Sequence, residues 1–442
     1  MNTKIVSPSD RKIPFIEGLE NFTKTNGQTP GWLSALRQKG LARFAKLGVP
    51  TTKNEEWKYT NVTPITQRKF QLPKSERLAP SDEFNRYCDV QEMNLVFVNG
   101  VFDTELSNLK KLNGITIKTI QQAIKDNDPE LEDLLTRYDP EENTSFVALN
   151  QALSNDGAYI SITNNVVTQE LIHIIHVANT GNNEIITAGR SLITVGKSSE
   201  ATILESYLTV SDKAVYLNNP LTDIFVGENA TLNYCKAQKE SGQAYHIGNT
   251  RVRQERNSNF NGFSLVAGGL LTRNNLDVVL SGEGANGIIN GLYCVDGQEL
   301  VDNHTTIDHR VANCMSNQLY KGILNGSSHA VFNGKIFVRP IAQKTNSYQL
   351  NKNLLLGKNC LVDTKPQLEI FADDVKCTHG ATIGQLNEDE IFYMETRAIA
   401  RKTAITMLAR GFVDDILAKI NNDSIGKKAN ILLEPTFKTL ES

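Results

Sequence analysis

Cysteine is sparse in this chain of 442 residues, and its six positions, Cys88, Cys235, Cys294, Cys314, Cys360 and Cys377, include no C-x-x-C pair. Thiols so scattered make no disulfide framework in a reducing compartment, and Cys235 and Cys360 read as small buried hydrophobes. No stretch approaches the roughly 18 uninterrupted apolar residues of a membrane helix. Met1 to Phe15 mixes charged and polar residues without the apolar centre of a secretory signal. The expectation is therefore a cytoplasmic protein that spans no membrane. A net charge of −3 without a long basic run gives no sign of a nucleic-acid partner. No G-x-x-x-x-G-K-[ST] motif occurs, so the chain itself should hydrolyse no ATP, and no strand-to-helix G-x-G-x-x-G offers a dinucleotide site.

What is present divides into three regions: residues 1–150 mixed and partly helical, 151–384 strand-rich, and 385–442 helical. Thr29 can cap a helix with Pro30 at its first position, and Leu33, Leu36, Phe44 and Leu47 recur near helical spacing up to Gly48. Gly40 weakens its middle. Trp57 and Tyr59 read as a loop clamped by aromatics. Leu95 to Val98 reads as a strand, and Ile117 to Ile124 and Leu131 to Leu135 as helical pieces.

From about 155 to 376, short apolar runs alternate with Gly, Asn, Asp and Ser turns. A loose motif recurs from Gly196 to Ala201, Gly227 to Ala230, Gly282 to Ala285, Gly326 to Ala330 and Gly357 to Cys360. Its small last residue fits the inside of a tight corner. Unequal spacing of similar turns suits a solenoid with insertions, and equally an antiparallel sandwich. After Gly384 the period becomes helical: Asn387 with Glu390 forms a capping-box pair, and Ile405, Leu408, Phe412, Ile416 and Ile420 share one face. This helical element ends near Asn421-Asn422.

Three sets of histidines invite a chemical reading. Cys377 and His379 alternate onto one face of an extended strand. A thiolate and an imidazole there suit a soft metal, although two ligands leave a tetrahedral site incomplete. The alternative is a strand end with a satisfied Cys and His. His173 and His176 take opposite faces of a strand and read as structural. The stretch Asp302 to Arg310 places His304 and Asp308 on one face and His309 on the other. A hydrolase or lyase acting on polysaccharide would need a nucleophile such as Ser316 or Cys314 positioned there.

Asn54-Glu55-Glu56-Trp57-Lys58-Tyr59-Thr60, Leu95 to Gly100, Lys321-Gly322, Val331-Phe332-Asn333-Gly334-Lys335-Ile336, Lys365-Pro366-Gln367-Leu368-Glu369-Ile370 and Val375 to Gly384 occur in this order. Followed by Asn387 to Met394 and Thr396-Arg397, this succession resembles the SufB/SufD family of iron–sulfur cluster assembly proteins. The N-terminal motif and Gly380 after His379 resemble its SufD branch. The resemblance implies a mainly β fold, a right-handed parallel β-helix flanked by N- and C-terminal helical regions. It implies a non-catalytic scaffold subunit whose β-helix pairs with a SufB-like chain and whose C-terminal helices dock a SufC-like ABC ATPase. It implies a transient iron–sulfur cluster shared with the SufB-like chain, His379 as ligand candidate and Cys377 as neighbouring thiol. Self-pairing of the isolated chain follows from the same surface. Phe392 and Tyr393 are adjacent, so one should lie near the surface, where Arg397 can join Tyr393 in the ATPase contact. A metal-free ATPase adaptor is a further reading. The family usually has Gly where Ala398 stands between two helices, so the break there is expected to be shifted or softened.

Overall fold

The computed structural model describes residues 15–17, 29–73, 78, 82–89, 91–138 and 144–441. Strands from Ala158 to Gly384 wind into a parallel β-helix of about eight turns. Successive long strands fall alternately into two sheets, so each coil gives one strand to each. Register is continuous on both sides: Leu271, Leu300, His329 and Leu361 stack on one sheet, and Asn286, Met315, Asn346 and Lys376 on the other.

The recurring turn motif marks the corners. Ala201, Ala230, Ala285 and Ala330 are fully buried in the interior core, and Cys360 packs against the same core. A Cβ on Gly282 would lie 2.0 Å from the amide nitrogen of Arg256, so the coils touch backbone to backbone. A second regularity lies beside it. Asn165, Ser198, Asn229, Asn257, Asn313 and Lys344 all have left-handed backbone, with φ between 53° and 63°. Each amide bonds a carbonyl of the next coil, as Asn257 does to Glu283 at 2.9 Å. Asparagine tolerates this conformation best among side-chain-bearing residues, which explains its abundance at the corners.

The first helix runs Gly31–Leu47, one residue later than Thr29 and Pro30 suggest, because Pro30 supplies the capping carbonyl rather than the first turn. Gly40 is a contact point: a Cβ there would come 2.9 Å from the carbonyl oxygen of Ala148 in the helix Ser145–Leu153. The stretch Ile117 to Ile124 is not one helix. Ile115–Thr119 is a strand, and Thr119 Oγ1 accepts from the Gln122 amide at 3.0 Å to cap the helix Ile120–Lys125.

At the C-terminus the helices Glu388–Thr396 and Arg401–Leu417 are followed by a third, Asp423–Glu441, beyond the expected end at Asn421-Asn422. The Asn387 cap bonds the Asp389 amide at 2.9 Å, one residue short of the capping-box position. The break at Ala398 is neither shifted nor softened, for Ala398 itself adopts φ 64°. The buried stripe of Arg401–Leu417 is Ala404, Thr406, Ala409, Val413 and Ile416, with Ile405, Leu408 and Phe412 on its flank. Its Ala409, Val413 and Ile416, together with Ile425, Leu432, Leu433 and Phe437 of the last helix, cover the outer face of one sheet at Leu204, Phe263, Leu265, Leu292 and Ile323.

Candidate functional site at the open end of the solenoid

The strands Leu361–Ile370 and Lys376–Gly384 form the last coil, and each is the terminal strand of its sheet. Its interior side chains therefore have a neighbouring coil on one side only. Cys377 and His379 share that interior face, stacked in register on Ser347 and Gln349, which are buried. The shared face expected from strand alternation is thus present. Cys377 is half-buried and, like Leu368 and Val375, packs against the cluster of Ile336, Val338, Ala342 and Ala372, whereas His379 is exposed. Burial pushes the Cys377 thiol up from its ordinary pKa, opposed by the Ser347 backbone amide. Around this end stand Leu361, Ile370, Phe371 and Ile383, all large, apolar and exposed. Among the described residues no group of three or more His, Cys, Asp and Glu side chains is placed to hold a metal ion. A cluster at Cys377 and His379 would draw its remaining ligands from another molecule.

Two lines of interior hydrogen bonds lead towards this end. His309 Nε2 lies 2.9 Å from Ser316 Oγ, which lies 2.7 Å from Ser347 Oγ. Gln318 donates to Thr305 at 2.6 Å, and Gln349 donates to Gln318 at 2.7 Å. Burial lowers the pKa of His309 to about 4, so it sits inside as neutral imidazole.

His304 faces outward into a cleft of about 560 Å³ between the sheet and the N-terminal motif. Its Nε2 is 3.0 Å from Asp302 and its Nδ1 3.5 Å from Glu56. Burial disfavours the His304 cation, but Asp302 and then Glu56 outweigh this and raise its pKa. The hydrogen bond to His304 leads the effects that hold Glu56 down to about 2. Arg273 stacks 3.8 Å over the Trp57 ring and bonds Asp302 at 2.8 Å, while Thr60 also bonds Asp302. Trp57 packs on Phe146 with ring centroids 5.5 Å apart and supplies the Trp57 half of the aromatic clamp expected of this loop, whereas the Tyr59 ring lies 5.1 Å from the neighbouring Lys58 ammonium. Asp308 is bound by Arg310 and Arg339. Ser316 lies inside, bonded to His309 and Ser347, and the Cys314 thiol points at the Gly282 carbonyl. Neither faces His304 as a nucleophile would.

His173 and His176 do take opposite faces. His173 bonds Ser206 at 2.8 Å beneath Tyr87, and His176 stacks on Tyr207 at 4.7 Å beside Glu205. In the helix Glu388–Thr396 the inward position belongs to Ile391. Phe392 and Tyr393 are consequently both outward, 66% and 60% exposed, so the surface aromatic expected here is present twice. Arg397 lies over the Tyr393 ring at 5.3 Å and donates to its hydroxyl at 3.2 Å.

The family profile for the SUF system FeS cluster assembly SufBD core domain matches residues 176–412, and that of the SufBD N-terminal region matches residues 20–174. The chain belongs to the SufBD family. It is 31% identical over 414 residues to an iron–sulfur cluster assembly SufBD family protein of Synechocystis, covering 92% of this chain and 91% of that one. It is 29% identical over 390 residues to the iron–sulfur cluster assembly protein SufD of Escherichia coli, covering 88% and 89%. With SufD of Bacillus subtilis it shares 23% over 437 residues, 96% and 98% of the two chains.

In this SufBD protein the polar interior is what reading the sequence missed. Glu205, fully buried, accepts bonds from Ser191 at 2.7 Å and Thr222 at 2.9 Å. Beside it Lys236 bonds Asn274 at 2.8 Å, with burial lowering its pKa to about 8. Gln318 and Gln349 belong to the same class. Strand parity marks them as inward-facing only once the register is known.

Proposed function

We propose that this chain is a SufD-like scaffold subunit, itself without catalytic activity, that helps assemble an iron–sulfur cluster between itself and a SufB-like chain. His379 contributes a ligand to the nascent cluster, which is cargo, and Cys377 is an auxiliary thiol that accepts sulfur or iron. One observation carries the reading: two soft donors sit on the interior face of an uncapped coil, rimmed by exposed Leu361, Ile370, Phe371 and Ile383. An apolar rim with an open sheet edge suits a second β-helix, and two donors suit a shared site that releases its product. The outward Phe392, Tyr393 and Arg397 are the proposed docking surface for a SufC-like ABC ATPase, whose motion would open the shared site. The chain alone is expected to self-pair through the same end, and its workplace is the cytoplasm.

The test is iron and labile sulfide content of the complex reconstituted with its SufB-like and SufC-like partners. His379→Ala should abolish maturation while assembly persists. Cys377→Ser should be milder. Normal cluster content in a well-assembled His379→Ala complex would sink the ligand role.

A further inference from the structure

The interior amide line stops one rung short of His379. Thr305, Gln318 and Gln349 are joined by bonds of 2.6 and 2.7 Å, all three buried. In each bond the outer amide donates through Nε2, which leaves its own Oε1 for the next rung. Gln318 Oε1 is used in this way by Gln349. Gln349 Oε1 is buried and has no partner among the described residues. The next in-register side chain on that face is the imidazole of His379. A buried carbonyl oxygen left unbonded has given up its water without a replacement partner, so a donor on the next rung is strongly favoured. A neutral imidazole offers one N–H and one lone pair, and a bond made by the N–H settles which nitrogen keeps the lone pair.

We infer that Gln349 is the positioning residue for His379, accepting its ring N–H and so presenting the other ring nitrogen's lone pair at the open end of the solenoid. This rests on the reading of His379 as a ligand. A metal-binding imidazole is commonly held in this way by an acceptor behind it, and losing that acceptor costs about 10–100-fold in affinity. The polar interior then has a role at this end: the line Thr305–Gln318–Gln349 fixes the orientation of the one amide that His379 needs.

The experiment is ¹⁵N NMR of the histidine rings in the full-length chain, at a pH where His379 is neutral, with His379 assigned through His379→Gln. The wild type should show His379 in a single tautomer. Gln349→Met, which keeps the volume but removes the acceptor, should give a mixture, and Gln349→Glu, which keeps an acceptor oxygen, should restore one tautomer. In the reconstituted complex Gln349→Met should lower bound iron about tenfold or more. A tautomer mixture in the wild type would overturn the inference without any variant having to fold. So would a Gln349→Met spectrum unchanged from wild type, or a change produced instead by Thr364→Val, whose hydroxyl is also buried without a partner among the described residues. The two readings fail separately. If His379 is no ligand, His379→Ala leaves bound iron unchanged while the tautomer result stands. If Gln349 does not position it, the tautomer result falls while His379→Ala still loses iron.

Discussion

Ala398 holds a left-handed backbone at φ 64° between two helices, where a Cβ is unfavourable. Ala398→Gly should stabilise the chain by about 1 kcal/mol, read as a higher urea midpoint at unchanged slope. A lower midpoint would show that neighbouring contacts impose the conformation at no cost to alanine. A second residue-scale prediction concerns Glu56 and His304. The raised pKa of His304 contributes fully below its ordinary 6.5 and fades as pH rises through the raised value. Glu56, held down to about 2, contributes above its ordinary 4.5 and loses this as pH falls towards 2. The Asn54–Thr60 strap should therefore be held most firmly between pH 4.5 and 6.5. Trp57 fluorescence in a Trp32→Phe background should change on both sides of that window, and His304→Gln should remove the alkaline change. At this scale Cys377 and His379 were legible because strand alternation needs no tertiary information. Gln349 was not, because its importance lies in which residue stacks above it.

The corner motif was legible as an element because a small residue inside a tight turn is a local requirement, met at Ala201, Ala230, Ala285 and Ala330. The parallel course of the strands was not, since Gly-rich turns serve sandwiches as well, and it took the family resemblance to choose. The helix Arg401–Leu417 was placed well but rotated: Ala409, Val413 and Ile416 face the sheet, with Phe412 only partly buried beside them. The pattern Ile425, Ala429, Leu432, Leu433 and Phe437 of the last helix was readable at helical spacing, but Pro435 inside it argues against a helix from sequence alone. These two helices cover an apolar sheet face, so Leu433→Ala should cost about 2–5 kcal/mol in thermal or chemical unfolding. Tyr393→Ala with Arg397→Ala should leave stability within about 0.5 kcal/mol, because both are exposed. That double variant should weaken pull-down of the ATPase, and retention at wild-type yield would move the docking surface elsewhere.

Across the whole molecule, the open coil is where strand edges and apolar side chains are left uncovered together. Phe371→Glu with Ile383→Lys should shift the isolated chain towards monomer in light scattering and lower its recovery with a SufB-like partner. An unchanged mass and full recovery would exclude this end as the contact. The stacked corners carry a different consequence. Positions 231, 259, 286, 315, 346 and 376 lie in one vertical row although the chain between them varies in length. Each coil therefore closes its own account of residues at its loops, and an insertion there is not passed on to the next. Variation in the middle of this chain is free to lengthen or shorten its loops without displacing His379. A single residue inserted within a strand has no such outlet, and would exchange inside for outside along everything that follows it in that strand.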